Sequence, residues 1–285
     1  MKSVATLLCL LVLATASFAV TPTIELPRGL AVDAKGNLYV ANAGGNNILV
    51  YSPGYVLQTS KTITQGVDTP FGVAFDLLGD LWVANNGNNS ITEYIGGKLN
   101  SNATINQGQG LSPESLAFDG TGNLWVQDSF TYLIMYEAFS PYSFPKFQQQ
   151  EISTGQNYYG IATVAGGLWV GGTAQVTVFA AAPLLLGDTN SPITINGNTG
   201  FTMASDASGK VYICNLDGSV QIGAPAQQPD GTGTVTVTSQ PFLQLTFVPT
   251  GIAIDNARKR IYLSNYNSNS ISVYSTAGAL LHVIQ

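Results

Sequence analysis

The chain has 285 residues with a formal net charge of −6, and 45% of its residues are hydrophobic against 9% charged. Such an acidic chain repels nucleic-acid phosphates and anionic lipid, which excludes both as expected partners. Its one histidine, His282, falls in the last run near the C-terminus, which leaves His-dependent lyase chemistry and Ser-His-Asp hydrolysis without a base and a zinc centre without ligands.

The first element in the chain is a leader. Lys2 precedes an apolar run over residues 4–14, and Ser17-Phe18-Ala19 places small residues where a signal peptidase reads. This predicts an export signal over 1–19, cleaved after Ala19, and a secreted or periplasmic protein. The run is too short to span a membrane, and no later stretch reaches the roughly 20 apolar residues a span requires. Removing the leader takes Cys9 with it and leaves Cys214 alone, so no intramolecular disulfide is expected.

From residue 20 onward one pattern recurs. Its clearest copy reads Pro70-Phe71-Gly72-Val73-Ala74-Phe75-Asp76, then Gly79-Asp80-Leu81-Trp82-Val83-Ala84-Asn85, then Ser90-Ile91-Thr92-Glu93-Tyr94. The copies align on Tyr39, Trp82, Trp125, Trp169, Tyr212 and Tyr262, about 43 residues apart except for a last interval of about 50, the spacing of propeller blades. Each copy holds three short runs of period-two alternation bounded by turn residues, which read as strands. A weaker fourth strand is predicted before the next copy, as in Lys61-Thr62-Ile63-Thr64, Thr234-Val235-Thr236-Val237 and Leu280-Leu281-His282-Val283. No long helical periodicity follows the leader. The expectation is an all-β, six-bladed β-propeller over 20–285, monomeric, with the anchor aromatics wedged between blades.

The phrases Pro-x-Gly-hydrophobic-Ala-hydrophobic-Asp, Gly-Asn-Leu-Tyr/Trp-Val-Ala-Asn and Asn-Asn-x-Ile-x-x-Tyr together resemble the NHL repeat. Arg28 to Tyr51 and Phe71 to Tyr94 carry them almost whole, and Thr250 to Tyr274 well. Two positions depart from the family pattern: its Asp after Val-Ala is Asn42 in the first copy and Asn85 in the second. More weakly, Ser112-Pro113-Glu114-Ser115-Leu116-Ala117-Phe118-Asp119 resembles the opening of strictosidine-synthase-like and gluconolactonase-type propellers. That resemblance implies a metal-binding or catalytic acid at Glu114.

Asp33, Asp76, Asp119, Asp206 and Asp255 recur at the end of the first run, with Val164 breaking the series in the fourth copy. Each precedes a tight turn, so the sequence reads them as acceptors for turn N–H groups and not as a catalytic ring. Cys214 aligns with Ala41 and Ala84 and reads as small inert filler.

Positions that change chemistry between copies are the candidates for function. Entering the innermost strands are Arg28, Phe71, Glu114, Tyr159, Phe201 and Thr250, and the loops after the second strands hold Asn42, Asn85, Asp128, Gly171, Asn215 and Asn265. Amides beside aromatics suit a neutral polar small molecule, a glycan or a protein loop at the channel mouth. The expected ligand-binding set is Arg28, Phe71, Asn85, Asp128, Tyr159, Phe201 and Asn215. Glu114, Asp128, Asn85 and Asn215 would also offer the oxygen-only donors that calcium or magnesium accepts. The sequence therefore reads as an exported binding module, with a divalent-metal-dependent hydrolase of the lactonase type, centred on Glu114, as the alternative.

Overall fold

The computed structural model describes residues 21–106, 112–128, 132–137, 149–153, 158–164, 167–172, 175–180, 193–196, 198–224 and 238–285. The export signal over 1–19 and the predicted strand at 234–237 lie outside them.

Period-two alternation becomes antiparallel sheet throughout. Six sheets form, each strand pairing with the next in sequence. Their innermost strands are Pro27–Val32, Pro70–Phe75, Pro113–Phe118, Tyr158–Val164, Thr202–Ser205 and Gly251–Asp255, heading blades one to six. Each innermost strand touches its successor and the sixth touches the first, which closes the ring into a six-bladed β-propeller. Among the described residues the only helix is a single 3-10 turn, Thr59–Lys61.

The core is divided into apolar layers between neighbouring blades. Trp82, Ala84 and Ile91 of the second blade pack on Leu116, Leu124 and Val126 of the third. The anchor aromatics sit in these layers: Tyr39 meets Phe75 edge-on at 5.0 Å, and Trp82 meets Phe118 at 5.9 Å. A fully buried residue such as Trp82 stabilises by removing its large apolar surface from water.

Among the described residues five blades have four strands, and blade one has three. The expected strand over residues 61–64 is reduced to isolated bridges, Tyr51 to Leu57 and Ile48 to Ile63. Between them the 3-10 turn satisfies backbone groups locally, Lys61 N–H donating to Gln58 and Thr62 N–H to Thr59, which interrupts the ladder. Leu280–Ile284 does form the outer strand of blade six.

Among the described residues each sheet is built from strands consecutive in sequence. The seam between blades six and one has its own apolar layer, Leu30 and Val40 packing with Tyr262 and Val273, and adds polar contacts: Ser264 Oγ donates to the Arg28 carbonyl at 2.8 Å, Thr250 Oγ1 to Pro27 at 2.8 Å, and Arg260 to Pro53 at 2.7 Å. Tyr55 stacks on His282 at 4.5 Å across the same seam.

Candidate functional site

Four innermost strands slip register where they begin. The irregularities fall between Pro27 and Leu30, Pro70 and Gly72, Pro113 and Ser115, and Tyr158 and Ile161. A bulge leaves its extra residue without a ladder partner and re-aims the side chain. The extra residues include Arg28, Phe71, Glu114 and Tyr159, so the bulge takes the entry positions out of the sheet. In blades five and six Phe201 and Thr250 stand just ahead of the strand.

The glycine after the entry residue has a steric cause. A methyl on Gly72 would lie 2.7 Å from the carbonyl oxygen of Glu114, and one on Gly29 would lie 2.5 Å from that of Phe71. Near the axis neighbouring backbones approach too closely for a side chain.

These features leave a cavity of about 90 Å³ at the channel, with Arg28, Phe71, Glu114, Phe201 and Thr250 in its walls, together with Ser115, Thr202 and apolar residues such as Ile161 and Met203. Five of the six entry positions therefore meet in one place. The sixth, Tyr159, has a side chain outside the described residues. Among the described residues of the walls, Arg28 is the only cationic one and Glu114 the only acidic one. The guanidinium carbon of Arg28 lies 4.3 Å from the ring centre of Phe71 and 4.5 Å from that of Tyr266. Tyr266 was not foreseen from sequence; its one signal is that it alone is aromatic among the residues following Asn42, Asn85, Asn215 and Asn265.

Asn85, Asp128 and Asn215 are buried and absent from the cavity walls. Asn85 Oδ1 accepts from the Asp68 N–H at 3.0 Å while its Nδ2 donates to Ser90 and Thr92. Asn215 Oδ1 accepts from the N–H groups of Thr199 and Gly200, and its Nδ2 donates to Asn198 and Ser219. Asn42 does the same for Glu25 and Thr23. These amides anchor the segments that lead into the innermost strands of blades one, two and five. One turn further, Asn46, Asn89 and Asn269 take positive φ, which Asn tolerates. Their Oδ1 atoms accept from Thr69, Ser112 and Leu26 of the next blade. Of the four donors expected for calcium or magnesium, only Glu114 lines the cavity, and the amide oxygens of Asn85 and Asn215 are already committed to backbone N–H groups. The expected set of four ligands is therefore not assembled in the cavity.

The recurring acids lie at the far end of the innermost strands and act as turn acceptors. Asp119 accepts from the N–H groups of Thr121 and Asn123, from Asn123 Nδ2 at 2.9 Å and from Trp125 Nε1 at 3.0 Å. Burial pushes its carboxyl up, but the donors of Thr121, Trp125 and Asn123 together hold it below the usual aspartate range. Asp76 accepts similarly from Leu78, Asp80 and Trp82. Blade four, with Val164 in place of the acid, leaves Trp169 Nε1 buried without an acceptor among the described residues.

Blade two differs in a second way. Asp80 stands where blades one and three have Asn37 and Asn123, and carboxylate oxygens of Asp76, Asp80 and Glu93 lie within 4.8 Å of one another. Burial, and then Asp76, raises the Asp80 carboxyl. Burial raises Glu93 too, against the lowering effect of its bond from Asn100.

His282 lies in the outermost strand of blade six and Cys214 is fully buried, where desolvation pushes its thiol up. Neither lines the cavity.

No protein-family model matches the chain, and no curated protein matches it in sequence. Solved structures do. A streptogramin B lyase is 14% identical with a TM-score of 0.63, the match covering 93% of this chain and 85% of the lyase. A gluconolactonase from Xanthomonas campestris is likewise 14% identical with a TM-score of 0.63, over 85% of this chain and 84% of the other. The Swd1 propeller domain of Myceliophteria thermophila is 9% identical at the same TM-score, over 91% and 85%. Among the described residues no helix is long and apolar enough to cross a membrane. At these identities the likeness shows the fold alone, and the chain is a β-propeller.

Proposed function

We propose that this chain is an exported propeller of the NHL-repeat type that binds a small ligand in the cavity at its channel mouth. The observation carrying this reading is the convergence there of Arg28, Phe71, Glu114, Phe201 and Thr250, one position of the repeat in five copies with four different chemistries. A symmetric scaffold recognises an asymmetric ligand only through such differences, and the two phenylalanines give the wall an aromatic surface. The cavity's volume favours a small molecule, or the terminal group of a glycan, over a protein loop.

A screen of sugars, lactones and small acids by thermal shift tests the reading. A ligand present at 100 times its Kd stabilises by about 2.7 kcal/mol, and Phe71→Ala or Phe201→Ala abolishes that shift. A ligand whose shift survives both substitutions places the site elsewhere.

One observation favours a lactonase-type hydrolase as the second reading: Glu114 faces the same cavity. Calcium bound by the wild type but not by Glu114→Gln, together with lactone turnover that the substitution removes, would establish it. Ligand binding that Glu114→Gln preserves, with no turnover in either protein, leaves the binding module.

A further inference from the structure

We infer that Arg28 anchors a carboxylate carried by the ligand of the mouth, an inference that rests on reading the mouth as the binding site. The Arg28 backbone is pinned across the seam, its carbonyl accepting from Ser264 Oγ. Its guanidinium packs on Phe71 from the following blade and Tyr266 from the preceding one, contacts that fix the plane of the fork but satisfy none of its N–H groups. Nε is buried with no hydrogen-bond partner among the described residues. The one ion pair among the described residues joins Arg258 to Asp255, and Arg28 takes no part in it. A desolvated donor without an acceptor is costly and rare in native proteins, and here it belongs to a side chain in the wall of an open cavity.

An arginine fork held rigidly in this way is matched by a planar anion that takes two parallel N–H bonds, as a carboxylate does. Glu114 in the same cavity sets the limit on charge: a single negative group is compensated by Arg28, whereas a second one faces Glu114. A monocarboxylate with an apolar or aromatic body against Phe71 and Phe201 meets both conditions, and inorganic phosphate does not. The expectation of a neutral ligand, drawn from the loop asparagines, loses its basis because those amides are spent on the fold.

Calorimetric titration of the full chain with benzoate, benzamide and inorganic phosphate tests this. Benzoate should bind saturably, with benzamide and phosphate each at least about tenfold weaker. Arg28→Lys keeps a cation against the rings but loses the fork, and should weaken benzoate about tenfold or more while leaving benzamide unchanged. Glu114→Gln should tighten benzoate severalfold, an arm that does not depend on the Arg28 variant folding. Equal binding of benzoate and benzamide, both lost in Phe71→Ala and both indifferent to Arg28→Lys, would overturn the carboxylate anchor while keeping the mouth as the site. Phosphate binding tighter than benzoate overturns the monocarboxylate assignment. Benzoate binding untouched by Arg28→Lys, Phe71→Ala and Phe201→Ala overturns the anchor and the site together, and no saturable benzoate binding below about 50 mM overturns the anchor.

Discussion

Replacing Asp80 with asparagine should make this protein more stable. In blade three the corresponding Asn123 donates from Nδ2 to Asp119 at 2.9 Å while Trp125 Nε1 donates to the same carboxylate oxygen at 3.0 Å. In blade one Asn37 donates to Asp33 at 2.7 Å. Blade two has the tryptophan bond, Trp82 Nε1 to Asp76 at 3.1 Å, but Asp80 puts an acceptor where its siblings put a donor. Asp80→Asn exchanges a like-charge contact within 4.8 Å for a charge-assisted hydrogen bond. Repulsion at that distance is of order 1 kcal/mol in water-like surroundings. The new bond is worth roughly 1.5 kcal/mol before discounting for the partial exposure of Asp80. A net gain of about 1–2 kcal/mol follows, which for a chain of this size raises Tm by roughly 2–6 °C.

The pH dependence supplies the refutation. Asp80 and Glu93 have carboxyls raised in the folded state, so the native protein binds more protons than the unfolded chain across that range. Stability from this cluster therefore increases as pH falls through the raised values and is at its poorest at neutral pH and above. The advantage of Asp80→Asn should be full at neutral pH and shrink on acidification, because protonated Asp80 can itself donate to Asp76. Urea melts of both proteins at neutral and mildly acidic pH measure this directly. A variant no more stable at neutral pH, or one whose advantage is unchanged in acid, refutes the argument. So does a wild type that calcium stabilises and a variant that calcium does not, since the three carboxylates would then be holding a cation.

Three further outcomes follow from the same geometry. Trp82→Phe and Trp169→Phe delete the same atoms from equivalent positions, but only Trp82 Nε1 has an acceptor; the former should cost about 1 kcal/mol more in chemical denaturation. Gly72→Ala, which brings a methyl within 2.7 Å of the Glu114 carbonyl, should lower stability by about 1–3 kcal/mol in a thermal melt. Asp119→Ala should cost about 2 kcal/mol; because the Asp119 carboxyl is held low, wild type and variant should converge only in acid, as pH falls through its lowered folded value.

What the sequence made legible is what repeats. Period-two runs and a constant spacing between Tyr39, Trp82, Trp125, Trp169 and Tyr212 are enough for strands and blades, because each strand's pattern is local and each blade is one copy. The turn role of Asp33, Asp76 and Asp119 was legible for the same reason: donor and acceptor lie within a few residues. The fourth strand of blade one was misjudged because a polar β-like run does not reveal that backbone bonds of the 3-10 turn at Thr59–Lys61 compete for it. At the mouth, the entry positions could be found by alignment, but the bulges that free them are register slips with no residue signature of their own. The contact of Arg28 with Tyr266 joins residues at opposite ends of the chain and exists only because the ring closes. Asn85 and Asn215 were indistinguishable from ligand donors in sequence, since an amide that binds a backbone N–H and one that binds a ligand are the same residue.

The departures from the repeat nonetheless fall into two physical kinds, and the difference bears on where function sits. Val164 leaves Trp169 Nε1 without an acceptor between blades, among Ala162, Val178 and Ile213. No ligand reaches that layer, so the cost is permanent and is borne by the packing around it. Arg28 Nε is equally without an acceptor among the described residues, but its side chain stands in a cavity wall, where the proposed carboxylate would meet the fork. An unsatisfied donor inside a blade is a loss of stability; the same donor at the mouth becomes free energy of binding for a ligand that brings the missing acceptor. Asp80 is the intermediate case, a misplaced acceptor at the opposite end of the strands, with a neighbouring Asp76 and Glu93 that a single amide in its place would relieve. Accessibility thus separates the three departures, and only the one at the channel mouth joins an unmet hydrogen bond to a space able to admit its partner.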